Sequence, residues 1–253
     1  MDLSSFESWL ERGTGRIKES PIGKLFESAL GSVFEKLKYA PGIDINDSLK
    51  RNEFEVSLIV LSAAVIRAEG GASPYELDYV RSFLLKNFDP KFIEARMYLL
   101  EQVIAKDFPL RPVCLQIKKL KSHAVRLQLI HYLFGIADAD LEITPKEIEV
   151  IQHIAKHLGI SDKDFRSIRA MFYSGAHLGS KPSSVVISTY YEILEVKTED
   201  SNDDIKKSYR RLVKKYHPDK VQHLGEDVQK AASDKFQKLQ EAYDFIKKER
   251  GIL

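Results

Sequence analysis

At 253 residues and 43% hydrophobic, the chain is long enough to bury two small cores. A net charge of +2 gives no global case for nucleic acid, and the lone Cys114 excludes internal disulfides and zinc sites built on four cysteines. No secretory signal and no apolar run of membrane-spanning length is visible, so the expected compartment is cytoplasmic.

Residues 1–51 form an N-terminal amphipathic region. Between 21 and 37, Ile22, Leu25, Phe26, Ala29, Leu30, Val33, Phe34 and Leu37 share one side of a helix, interrupted by Lys24, Glu27, Glu35 and Lys36. Packing on the chain's own core or pairing two subunits as a homodimer ranks ahead of lying on a bilayer surface, which would place the protein peripherally at the inner face of the membrane.

From 52 to 175 the pattern is helical throughout, with helices expected over 53–69, 74–87, 90–106, 112–120, 123–138, 145–158 and 162–175. A short repeat runs through this region. One copy passes from Ala64 through Gly70 and Gly71 to Ser73-Pro74-Tyr75-Glu76, the other from Leu133 through Asp138 and Asp140 to Thr144-Pro145-Lys146-Glu147. Ser73 and Thr144 are N-caps, Pro74 and Pro145 take the first helical position, and Glu76 and Glu147 complete capping boxes. The repeat resembles the helix-turn-helix halves of TerB-like domains, a type known from tellurite-resistance proteins and linked to metal binding through acidic turns. Asp138, Asp140, Glu142 and Glu149 fall at positions one, three, five and twelve of a calcium-loop count, but Ile143 stands where that loop needs glycine. Capping explains most of these residues without an ion, so no metal is assigned and Asp138, Asp140 and Glu142 stay as weak candidates. His153 and His157 share a helix face with no third ligand nearby.

No acidic residue occurs from 109 to 137, where Arg111, Lys118, Lys119, Lys121 and Arg126 accumulate; the commoner reading is a solvated helix face, the other a surface for an acidic partner or lipid headgroups. Residues 176–187, rich in Ser with Gly179 and Pro182, read as a linker whose composition allows the flanking domains to move independently.

In the last region, 188–253, Ile205, Tyr209, Leu212 and Tyr216 make one helical stripe, and Lys206, Lys207, Arg210, Arg211, Lys214 and Lys215 lie off it. Ser201 with Asp204 has N-capping spacing, and Pro218 ends the helix by forcing His217 out of helical geometry. A second apolar stripe follows at Ala232, Phe236, Leu239, Ala242, Tyr243 and Ile246, which predicts an antiparallel hairpin with His217-Pro218-Asp219 at its tip, closed at its open end by residues 190–196. These residues resemble a J domain, the module of the DnaJ family, and the ending EAYDFIKKERG looks most like the DjlA branch.

The resemblance implies a DnaK-class ATPase chaperone as partner. The six cations would dock it, and His217, Pro218 and Asp219 would drive it toward ATP hydrolysis and substrate capture. Tyr191, Leu194, Tyr209, Leu212, Phe236, Leu239 and Tyr243 would form the J-domain core. No cofactor is implied, the chain is expected not to be an enzyme, and the Gly/Phe-rich linker and CxxC repeats of longer DnaJ proteins are absent. Fourteen Lys and Arg against thirteen Asp and Glu leave 188–253 at +1, so the region is dipolar and nucleic acid is not the expected partner. The expectation is an all-α co-chaperone in which a TerB-like bundle localises or senses and a J-domain hairpin recruits the chaperone. The alternative is a stress-response scaffold, with metal binding a further option, in which the TerB-like part dominates.

Overall fold

The computed structural model describes residues 53–106, 108–173, 184–217 and 226–252; the amphipathic stretch 21–37, Pro218, Asp219 and most of the expected linker lie outside them. Among the described residues there are ten α-helices and no strand: α1 (Glu53–Ile66), α2 (Pro74–Asn87), α3 (Ile93–Ile104), α4 (Leu110–Leu120), α5 (His123–Ala137), α6 (Pro145–Leu158), α7 (Asp162–Tyr173), α8 (Ser184–Ile193), α9 (Asn202–Tyr216) and α10 (Glu226–Glu249). None is long and apolar enough to cross a membrane.

Helices α1 and α5 have almost no polar face because they are buried on nearly every side. Helix α1 packs on α3, α4, α5 and α6, and α5 packs on α1, α2, α6 and α7. One of the polar links between them is the pair Ser62 Oγ and Tyr132 Oη, 3.0 Å apart, with Ser62 also bonded to Leu58 O at 2.9 Å. A buried ion pair, Glu55 with Arg96, ties α1 to α3. Cys114 is fully buried on α4, and burial pushes its thiol up to about 12.

Two expected helices are interrupted by tighter turns. Residues 67–69 wind as a 3₁₀ turn because Gly70, at φ 99°, bends the chain and bonds back to Arg67 O at 3.0 Å. Residues 90–92 do the same where Asp89 accepts from Lys91 N at 3.0 Å. Helix α6 ends in a Schellman motif, with Gly159 left-handed and Ile160 N bonded to Ala155 O at 2.9 Å. Arg126 donates to Leu158 O there, and Lys121 is buried with its ammonium 4.4 Å over the Phe54 ring, so these two cations are packing elements rather than a solvated face.

The repeat is structural as well as sequential. Ser73 Oγ accepts from Glu76 N at 3.2 Å while Glu76 accepts from Ser73 N at 2.7 Å; Thr144 and Glu147 repeat both bonds at 3.4 and 2.8 Å. Three residues before each N-cap the backbone is left-handed, at Gly70 in the first copy and at Leu141, φ 70°, in the second. Leu141 is 89% exposed, so it carries the strain of that conformation with little packing in return. Leu141→Asn is expected to raise stability by about 0.5–1 kcal/mol in urea unfolding, since Asn tolerates the left-handed region; no gain would show that the turn is not strained.

The two capping glutamates also repel each other. Burial pushes the Glu76 carboxyl up to about 7, opposed by its Ser73 bonds and reinforced by Glu147 and Asp140. A carboxyl raised in the folded state stabilises the fold fully only at low pH, and that contribution is lost as pH rises from the usual carboxylate range through about 7. Glu76→Gln keeps the capping pattern and is expected to flatten this limb, with a gain over wild type at pH 8 of at most about 3 kcal/mol. Thermal unfolding profiles of the two proteins that run parallel from pH 4 to pH 8 would contradict this.

Helices α8, α9 and α10 form a second unit. Its first helix starts at Ser184, inside the stretch expected to be linker. Tyr209 stacks on Tyr243 at 4.0 Å, and the His217 ring meets Phe236 edge-on at 5.9 Å, which fixes α9 and α10 as an antiparallel hairpin. Tyr190 stacks on Phe245 at 4.4 Å and Tyr191 Oη bonds Glu249 and Arg250, so α8 lies along the far end of α10. The two units are packed together through α7 on α8 and through α10 on α2 and α5.

Candidate functional site

Helix α9 begins with Ser201, whose Oγ accepts from Asp204 N at 3.2 Å, and Asp203 and Asp204 in its first turn suit the positive end of the helix dipole. Its apolar stripe is buried at Ile205, Leu212 and Tyr216, with Tyr209 partly covered. Tyr191, Leu194 and Leu239 are also buried, whereas Phe236 and Tyr243 keep partial exposure beside α9. The helix stops at His217, half-buried with φ −59° and ψ 130°, an extended conformation that fits a residue before proline.

The six cations divide by environment. Lys207, Arg210, Arg211 and Lys214 are exposed and Lys206 and Lys215 half-buried. Lys207 approaches Asp204 at 3.8 Å, and Arg211 pairs with Glu195 at 2.6 Å. Lys215 pairs with Asp164, on α7 of the other unit. The exposed set forms a basic patch on one side of α9, ending at His217.

The DnaJ domain family matches residues 189–251, and the family described as tellurite resistance protein TerB matches residues 55–170. The chain thus carries a TerB domain followed by a J domain, the arrangement of a DjlA-like protein. It is 30% identical to the co-chaperone protein DjlA of Photorhabdus laumondii over 58% of this chain and 60% of that protein. It is 27% identical to the DjlA of Vibrio parahaemolyticus over 80% of each, and 31% identical to that of Salmonella typhimurium over 58% and 61%. The matched stretch thus spans about three fifths of the Photorhabdus and Salmonella relatives. No solved structure matches this chain.

Several contacts that local sequence patterns did not single out join the TerB domain to α9 and α10. Asp164, third residue of α7, accepts from Ser161 Oγ at 2.9 Å, from Lys215, and from Tyr216 Oη at 3.4 Å, with His123 Nε2 at 3.6 Å. Burial opposes its charge, but the bonds and charge of Lys215, with Ser161, hold its carboxyl below the usual range. Burial raises Glu195 against the pull of Arg211, and the Asp164 charge adds to the rise. Lys235, on α10, is fully buried and donates to Leu127 O at 3.0 Å, 5.4 Å over the Tyr216 ring. Burial holds this ammonium well below the ordinary lysine range, partly offset by Asp164. One turn on, Lys238 donates to Met171 O over the Phe172 ring. Lys235 did carry a signal: it stands four residues before Leu239 and seven before Ala242, on the buried stripe.

Among the described residues no three His, Cys, Asp or Glu are grouped so as to hold a metal ion. Asp140 instead accepts from Glu142 N at 3.3 Å, and Asp138 is half-buried, raised by burial with Lys238 opposing. His153 and His157 meet edge-on at 4.5 Å.

Proposed function

We propose that the chain is a co-chaperone that recruits a DnaK-class chaperone and stimulates its ATPase through His217, Pro218 and Asp219. The observation that carries this reading is the J domain at 189–251, with His217 at the end of a helix whose exposed cations face one side. Lys206, Lys207, Arg210, Arg211 and Lys214 would steer and orient a partner with an acidic surface, which affects association rate and register more than affinity. Lys215 and Arg211 would contribute less to docking than the others, because Asp164 and Glu195 already hold them. The hydrolysis belongs to the partner, so the chain needs no nucleophile, metal or cofactor of its own. The relatives named co-chaperone protein DjlA support the same reading.

The test is single-turnover ATP hydrolysis by the host's DnaK-class chaperone, with and without the full chain. Stimulation that saturates with added protein is expected. A folded chain that leaves a competent chaperone at its basal rate would end the co-chaperone reading in favour of a scaffold centred on the TerB domain.

A further inference from the structure

The TerB domain grips α9 and α10 at two positions, one on each helix. At the end of α9, Lys215 and Tyr216, the two residues before His217, reach Asp164. On α10, Lys235 reaches Leu127 O, and its neighbour Phe236 takes the edge of the His217 ring. Further support comes from Ser167 Oγ, which donates to Ile193 O at 2.8 Å, and from Lys238 on Met171 O. A fully buried lysine is costly to desolvate, so such a contact persists only where the surrounding packing determines it. The contact nonetheless leaves Lys207, Arg210 and Lys214 exposed, so a partner can approach α9 while the two domains stay packed.

We propose that Asp164, a residue of the TerB domain, is a positioning residue for the chaperone-facing end of the J domain. Its carboxylate holds the last turn of α9 through Lys215 and Tyr216 and thereby sets the direction in which His217 leaves the helix. The TerB domain then acts as a structural part of the stimulating unit rather than as cargo on a flexible tether. This rests on the co-chaperone reading.

The experiment compares full-length wild type, Asp164→Asn and Asp164→Glu in the single-turnover ATPase assay, each titrated to saturation. Asp164→Asn is expected to lower maximal stimulation roughly 2- to 30-fold, as for a coupling residue that does not touch the partner. The half-saturating concentration should stay unchanged, because the exposed cations of α9 are intact, and Asp164→Glu should restore part of the loss. Unchanged stimulation would overturn the proposal. So would increased stimulation, which would mean that the contact restrains the J domain. If Asp164→Asn proves unfolded by circular dichroism, Ser167→Ala, which cuts the separate bond to Ile193 O, must show the same split or the proposal fails. Wild type is scored first: if it gives no stimulation, the co-chaperone reading falls, and the positioning role falls with it.

Discussion

His217→Gln is expected to leave the helices standing and to abolish stimulation of the chaperone's ATPase. The side chain lies just outside α9, half-buried, with its ring edge against Phe236 at 5.9 Å and 81°. Losing that ring contact costs about 1 kcal/mol or less, and glutamine keeps a polar side chain of similar reach. Thermal unfolding should therefore shift by only a few degrees for a domain of this size. The functional loss would be out of proportion to it, since the cations of α9 are untouched and association should persist. A variant that stimulates as well as wild type would take His217 out of the mechanism and leave the basic face as the working surface.

Arg96→Met is expected to cost about 3–5 kcal/mol, the largest effect on stability of the substitutions considered. Glu55 and Arg96 are both only 4% exposed, and the guanidinium also donates to Asp89 O and lies 5.3 Å over Phe88 and 5.9 Å over Phe92. Removing it strips the ion-pair partner from a buried carboxylate and the donor from a carbonyl beside α3. Burial already raises Glu55 against the pull of Arg96, so without the arginine the carboxyl would be driven further toward its neutral form. The double variant Glu55→Leu with Arg96→Met should recover most of the loss, because two apolar side chains leave no charge behind. Urea unfolding of the three proteins decides it: a single variant that costs under about 1 kcal/mol would show that the pair is not a buried one.

The helices between α1 and α7 were legible because their ends are written locally. Ser73-Pro74 and Thr144-Pro145 mark starts with a capping box, and Gly159 marks a stop. What the pattern did not resolve were the tight turns at 67–69 and 90–92, where backbone bonds around Gly70 and Asp89 decide the last or first turn. Helix α8 was hidden for a different reason. Val185, Val186 and Ile187 are β-branched and weak helix formers, and they follow a stretch rich in Gly, Ser and Pro, so packing against α7 and α10 supplies what propensity lacks.

The J-domain hairpin was readable because its apolar stripes and the His-Pro-Asp signature are contiguous. The interface was not. Lys215 and Asp164 lie 51 residues apart, Lys235 and Leu127 108 apart, and no local periodicity records such a pairing. Asp164 reads as an ordinary residue of a helix's first turn, a role it also fills by accepting from Ser161. Lys235 reads as a solvated cation unless its place on the stripe is noticed. Linker composition permits independent domains, but the packing of α10 on α2 and α5 supersedes that expectation.

The state of Cys114 has a practical outcome. As the sole thiol of the chain, fully covered on α4 and held mostly protonated at neutral pH, it is poorly nucleophilic toward maleimides and alkyl halides. A cysteine placed at an exposed position such as Lys207 or Leu141 would be the preferred attachment point for a dye or spin label while the fold holds. Paired labels on the TerB and J domains would then report their separation directly, without first deleting the natural residue and disturbing the core around α4.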